Sequence, residues 1–212
     1  MKVVVITNEE LKKELLAQGL QEDVKVEWQE EIRPAHEADG YIDLLFNHSS
    51  ERIDKLKDLP AGSGGQPAII IVNAVNNVLS ELPAYFIRIN GWNSFLQRPL
   101  VEAAGADGAK AGAEKIFTSF NKTTEWVPDI PGFITARVIS MIINEAFFTL
   151  DEKVSTKEEI DTAMKLGTNY PYGPFEWGSL IGLKKVNALL TSLATINSRY
   201  TPSSLLQKEA LA

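Results

Sequence analysis

Residues Pro131 to Leu183 read PGFITARVISMIINEAFFTLDEKVSTKEEIDTAMKLGTNYPYGPFEWGSLIGL. Apolar residues recur at Ile139, Ile142, Ile143, Ala146, Phe147 and Leu150, the spacing of one continuous helical stripe. Ile134, Val138 and Met141 add a second stripe, so the predicted helix needs more than one packing partner. Ser155 and Glu158 have capping-box spacing and start a second helix. Gly167 is placed to stop it, because glycine accepts the left-handed conformation. Pro174 suits the first turn of a third helix, where its missing N–H is no loss. The turn Tyr170 to Glu176 reads as structural, as do Asn144 and Glu145 within the first helix.

Upstream the pattern changes. Lys2 to Thr7, Val24 to Trp28, Gly40 to Phe46, Ala68 to Asn73, Tyr85 to Ile89 and Thr124 to Val127 read as strands. Glu9 to Ala17, Ser50 to Leu56 and Asp107 to Phe120 read as helices. The run AIIIV at Ala68 to Val72 suits the middle of a parallel sheet, buried on both faces. Short strands alternating with helices predict a mostly parallel α/β sheet. A boundary at Val127 to Pro131 divides a 1–127 α/β domain from a 128–212 all-helical domain.

Composition removes several function classes. The 212 residues permit one domain or two small ones. There is no cysteine, which excludes disulfides, thiolate metal sites and cysteine nucleophiles. A net charge of −7 without a basic stripe argues against nucleic acid. No apolar run approaches the roughly 20 residues that span a bilayer. Met1 to Ile6 is too short for a signal-peptide core and meets Asn8-Glu9-Glu10 at once. A soluble, cytoplasmic protein is the expectation.

The stretch resembles the C-terminal domain of the 3-hydroxyacyl-CoA dehydrogenases. The residues that carry the likeness are Pro131-Gly132-Phe133, Asn144-Glu145-Ala146, Ile160 to Met164, Gly167, Tyr170-Pro171, Gly173-Pro174-Phe175-Glu176 and Ile181-Gly182-Leu183. Tyr200 to Leu206 is similar to the start of the family's last helix. The resemblance implies a Rossmann domain followed by a helical domain that pairs subunits. It also implies hydride transfer between NAD and the 3-hydroxyl carbon of an acyl-CoA. The family's first domain is longer, so residues 1–127 look like a cut-down Rossmann-like sheet.

The cofactor device expected of that fold is absent. A Rossmann sheet binds pyrophosphate at a glycine-rich first turn that opens a helix. Here the first strand runs into Thr7-Asn8-Glu9-Glu10, with no glycine and two carboxylates in the helical turn. Glu27 or Glu30 falls near the family's ribose-binding acid, but each reads more simply as a solvated strand-end charge. The run Gly62-Ser63-Gly64-Gly65 follows no strand and opens no helix in the required way, so it reads as a loop. No NAD and no metal are expected.

The family's catalytic set implies a histidine base, a glutamate that orients it, and serine and asparagine groups on the substrate oxygen. Leu100-Val101-Glu102 matches the motif of the glutamate, which falls on Glu102. Counting back, the histidine position is Asn90, a retained asparagine is Asn93, and the motif's proline is Ser94. The serine position is Val75 and the second asparagine position is Ala136, followed by a retained Arg137. Glu102 and Asn93 therefore remain as relics of the site. The two histidines are His36 and His48; His48 follows a predicted strand and is the candidate substitute base, though a solvated loop histidine is the plainer reading.

Three functions compete. The first is a catalytically impaired family member of fatty-acid metabolism that keeps dimerisation and an acyl-CoA cleft. The second is an active NAD-dependent dehydrogenase with an atypical site. The third is a structural partner in mixed dimers with a full-length relative, joined through helices Gly132 to Leu150 and Phe175 to Ile196. A homodimer through the first helices of the second domain is expected.

Overall fold

A computed structural model describes residues 1–62, 65 and 67–211. Residues 1–133 and 134–212 form two compact units.

The first unit is a seven-stranded sheet in the order β2-β1-β3-β4-β5-β6-β7. Its strands are β1 (Lys2–Ile6), β2 (Lys25–Gln29), β3 (Gly40–Asp43), β4 (Ile69–Asn73), β5 (Phe86–Ile89), β6 (Leu100–Ala104) and β7 (Thr123–Trp126). Neighbours are parallel except β5 and β6. Helices α1 (Glu9–Leu15), α2 (Ser50–Lys57) and α3 (Asp107–Ser119) cover it. Side chains alternate between faces, as strand pleating requires. Val3, Val5 and Ile71 pack with Leu11 and Leu15 of α1 and Phe117 of α3. Val4, Ile6, Ile70 and Val72 pack on the other face with Leu56 of α2. Gly40 is required where β3 begins: a Cβ there would lie 2.3 Å from Ile116 Cδ1 of α3.

Two strand expectations need correction. β3 stops at Asp43 rather than Phe46, because Asp43 Oδ1 takes the Leu45 N–H at 3.0 Å and turns the chain out of the ladder. Strand β6 lies where the sequence suggested only a motif. It pairs antiparallel to β5, with Arg88 opposite Ala104 and Ile89 opposite Ala103.

The second unit contains α4 (Thr135–Asp151), α5 (Lys157–Thr168), α6 (Pro174–Ile181), α7 (Leu183–Ala194) and α8 (Ser204–Leu211). The capping box of α5 is Thr156 with Glu159, one residue beyond the expected pair; Ser155 Oγ instead donates to Glu159 Oε2 at 2.7 Å. The helix ends on Asn169 in the left-handed conformation rather than at Gly167. Gly182, at φ +94°, splits the expected 175–196 helix into α6 and α7. Pro174 does open α6.

The motifs of this unit are structural joints. Asp161 accepts the Phe175 N–H at 2.8 Å and the Glu176 N–H at 3.1 Å, capping α6 from α5. Gly173 makes room for that contact, since a Cβ there would sit 2.3 Å from Asp161. Asn144 donates to the Thr201 carbonyl at 3.0 Å and accepts the Ser203 N–H at 2.8 Å, tying α4 to the segment that enters α8. Phe147 and Phe175 pack edge to face at 5.0 Å.

The units divide between Phe133 and Ile134, beyond the expected Val127/Pro128 boundary. The connecting segment belongs to the sheet. The buried Arg88 guanidinium pairs with Asp129 at 2.9 Å, donates to the Ile130 and Ala74 carbonyls at 2.6 and 3.2 Å, and lies 4.1 Å from the Phe133 ring. The Gly132 N–H donates to the Val75 carbonyl at 2.8 Å.

Candidate active site

Asn90 and Glu102, expected from the sequence at the histidine and glutamate positions, meet at the antiparallel β5–β6 pair. The Asn90 N–H donates to the Glu102 carbonyl at 3.0 Å, and Asn90 Nδ2 donates to Glu102 Oε2 at 3.1 Å. Both residues are buried, at 3% and 6% exposure. The Asn90 amide gives the buried Glu102 carboxylate a hydrogen-bond donor. An amide has no basic lone pair near neutral pH, so Asn90 itself is not a general base.

The loop after Asn90 is anchored at several points. Asn73, at the end of β4, donates to the Leu44 and Gly91 carbonyls at 3.1 and 3.0 Å and accepts the Gly91 N–H at 2.9 Å. The Ser94 N–H donates to both Glu14 carboxylate oxygens, at 2.8 and 2.9 Å. Burial raises the Glu14 carboxyl above its ordinary range. Lys122, 2% exposed, donates to the Leu96 carbonyl and to the Arg98 carbonyl at 2.9 Å. Burial pushes its ammonium down to about 8.

Ser94 sits at φ +75°. The proline expected here from the sequence motif could not adopt that angle and would have no N–H to give Glu14. Asn93 is buried within this loop. Glu14, Asn73 and Lys122 carry no site signal in the sequence; Glu14 and Ser94 are 80 positions apart.

Val75 is buried and contributes its carbonyl to Gly132. Ala136 is buried in the second unit, and Arg137 there packs 5.5 Å from the Tyr200 ring. His48 is exposed, with Nε2 3.0 Å from the Glu81 carbonyl, and His36 is exposed. Among the described residues no three metal-ligating side chains cluster, and no helix is long and apolar enough to cross a membrane.

The turn after β1 offers no cradle for a pyrophosphate. Asn8 Oδ1 accepts the Leu11 N–H at 2.9 Å and so occupies the N-terminus of α1 itself. That helix has only 7 residues and begins with Glu9 and Glu10. Glu27 is held by Lys2 at 3.0 Å and by Gln29 at 2.8 Å, and Lys2 draws its pKa down. Glu30 is exposed. At the end of β3, the buried Asp43 is bound by Arg52 through two contacts of 2.6 Å. Of the Gly62 to Gly65 run, Ser63 and Gly64 lie outside the described residues.

Comparison with known proteins follows this geometry. Residues 132–212 match the family described as 3-hydroxyacyl-CoA dehydrogenase, C-terminal domain. A 3-hydroxybutyryl-CoA dehydrogenase of Clostridioides difficile is 38% identical over 182 residues, 79% of this chain and 65% of that protein. A 3-hydroxyadipyl-CoA dehydrogenase of Escherichia coli is 40% identical over 111 residues, 51% of this chain and 23% of that protein. The chain spans less than two thirds of either relative. In fold, M. tuberculosis FadB2 superposes with a TM-score of 0.76 at 14% identity, over 99% of this chain and 93% of that one. The (S)-3-hydroxybutyryl-CoA dehydrogenase PaaH1 of Ralstonia eutropha gives 0.73 at 20% identity, over 98% and 92%. The chain therefore resembles the 3-hydroxyacyl-CoA dehydrogenases, in sequence through residues 132–212 and in fold through a Rossmann-like sheet followed by their helical domain.

Proposed function

We propose that this protein is a 3-hydroxyacyl-CoA dehydrogenase relative that has lost hydride-transfer chemistry and retains dimerisation and acyl-CoA binding, in the cytoplasm. The observation that supports the reading is the Asn90–Glu102 hydrogen bond at 3.1 Å: on this reading Asn90, which is no base near neutral pH, takes the histidine position. The capped, acidic turn at Asn8 to Glu10 supports it from the cofactor side, since both losses act on one reaction. No NAD, metal, nucleic acid or membrane enters this function.

Homodimerisation is part of the proposal. Ile134, Val138 and Phe148 are 52%, 51% and 38% exposed and lie on one stripe along α4. Such a stripe is the kind of surface that a second copy covers. The test is to follow NADH oxidation with acetoacetyl-CoA, to titrate acetoacetyl-CoA alone, and to weigh the protein by light scattering. Thioester binding by a dimer without turnover is the expected result. Turnover defeats the proposal and makes His48 the first residue to replace.

A further inference from the structure

The chain contains one Asn-Gly pair, Asn90-Gly91, in the buried loop that follows β5. Asparagine is a thermally labile residue, and in an unfolded chain an asparagine followed by glycine modifies itself. The glycine nitrogen attacks the asparagine Cγ, the Cγ–Nδ2 bond breaks, and the side-chain nitrogen leaves as ammonia with the glycine amide proton. Water then opens the cyclic imide to aspartate or isoaspartate. Glycine favours ring closure because it has no Cβ to hinder the approach.

The fold holds each participant in that reaction. The Gly91 N–H donates to Asn73 Oδ1 at 2.9 Å, and the Gly91 carbonyl accepts from Asn73 Nδ2 at 3.0 Å, so one side chain grips both ends of the residue. Asn73 is itself anchored on the Leu44 carbonyl at 3.1 Å. The leaving group is engaged as well, since Asn90 Nδ2 donates to Glu102 Oε2 at 3.1 Å. Asn90 is 3% exposed, which keeps from it the water that must take the proton and open the imide. The same packing explains the glycine. A Cβ at residue 91 would lie 2.8 Å from Asn73 Cγ and 3.0 Å from its Oδ1. The clamp thus demands the residue that makes Asn90 chemically vulnerable.

We infer that Asn90 is a latent site of spontaneous deamidation, kept intact by the Asn73 clamp and unmasked when the loop opens. The conversion is irreversible and replaces an amide donor by a second carboxylate beside the buried Glu102. Like charges buried side by side disfavour each other, so the loop does not reclose in its original form. An opening of the loop is thereby recorded as a covalent mark. The reaction uses no cofactor, acyl-CoA or second copy, so it is independent of the proposed function.

The test holds the full chain for several days in mildly alkaline buffer, folded and, in parallel, unfolded in guanidinium chloride. Peptides are then read by mass spectrometry for amide-to-acid conversion. Asn197, exposed and followed by Ser198, is the reference within the same chain. Asn90 is expected to convert faster than Asn197 in guanidinium and more slowly than Asn197 in the folded protein. Asn73→Ala removes all three hydrogen bonds of the clamp and should raise the folded-state rate at Asn90 about tenfold or more, with Asn197 unchanged. The comparison variant is Leu56→Ala, which opens a cavity on the α2 side of the same unit, with dilute guanidinium added to equalise the fraction unfolded. The inference is overturned if the folded wild type loses Asn90 as fast as Asn197, or if Asn73→Ala leaves the rate at Asn90 unchanged. It is equally overturned if Leu56→Ala accelerates Asn90 as much as Asn73→Ala does, which marks global unfolding as the route. Hydrogen exchange on the wild type tests the clamp without any variant: the Gly91 amide should be protected like those of β5, and exchange at the rate of an exposed loop amide overturns the inference.

Discussion

Replacing Lys122 by methionine removes the cation that holds the loop after Asn90. The wild-type ammonium lies 2% exposed, at about 8 instead of the ordinary 10.5, because burial disfavours its charge. The folded-state pKa is lower than the unfolded one. Below pH 8 both states hold the proton, and the fold bears the cost of a buried charge. Between pH 8 and 10.5 the folded state has released its proton while the unfolded state keeps it, so stability rises with pH. The full change is roughly 3 kcal/mol. Lys122→Met carries no such term, but leaves the Leu96 and Arg98 carbonyls without this donor, at about 1–3 kcal/mol. At neutral pH the two effects oppose, and the variant should lie close to wild type. Urea unfolding followed by circular dichroism, at pH values between about 7 and 10.5, gives the difference between the two proteins. Other titrating groups are common to both and cancel. The expected result is a wild-type advantage that grows with pH through that window. A constant difference, or one that shrinks, refutes the assignment of Lys122 as a buried, charged loop anchor.

Three further outcomes are expected. Ser94→Pro restores the family's residue but should cost about 3 kcal/mol or more, because it removes the N–H given to Glu14 and forbids φ +75°; thermal unfolding measures it. Asp161→Ala should cost about 2–4 kcal/mol by leaving two N–H groups of α6 uncapped, and Asp161→Asn, which keeps one acceptor oxygen, about half as much in urea titration. Val138→Asp should turn the proposed dimer into a monomer by light scattering, with unchanged circular dichroism, because Val138 is 51% exposed on the α4 stripe.

Much of this architecture is legible in the chain because local signals agree with tertiary demand. The runs Val3 to Ile6 and Ile70 to Val72 are apolar at consecutive positions, and both faces of their strands are buried. Pro174 marks the start of α6 by its missing N–H. The signals fail where two solutions differ by one residue or by a distant contact. Ser155 and Thr156 can each cap α5, and the choice falls to the residue three before Glu159. Strand β6 carries a glutamate at its centre and is recognisable only through its pairing with β5.

The candidate site divides the same way. Asn90 and Glu102 are found by aligning a motif, and the sheet places them in contact. Glu14, Asn73 and Lys122 act on the intervening loop through contacts between distant positions, which only the strand order creates. Ser94 is visible in the sequence as a lost proline, yet its positive φ is not.

The most direct test of the central claim is a calorimetric titration of the full protein with NADH. A turn capped by its own Asn8 and opened by Glu9 and Glu10 predicts no binding heat in the micromolar range. A dissociation constant near 1 μM, about −8 kcal/mol, contradicts it and restores an active dehydrogenase as the reading of this fold.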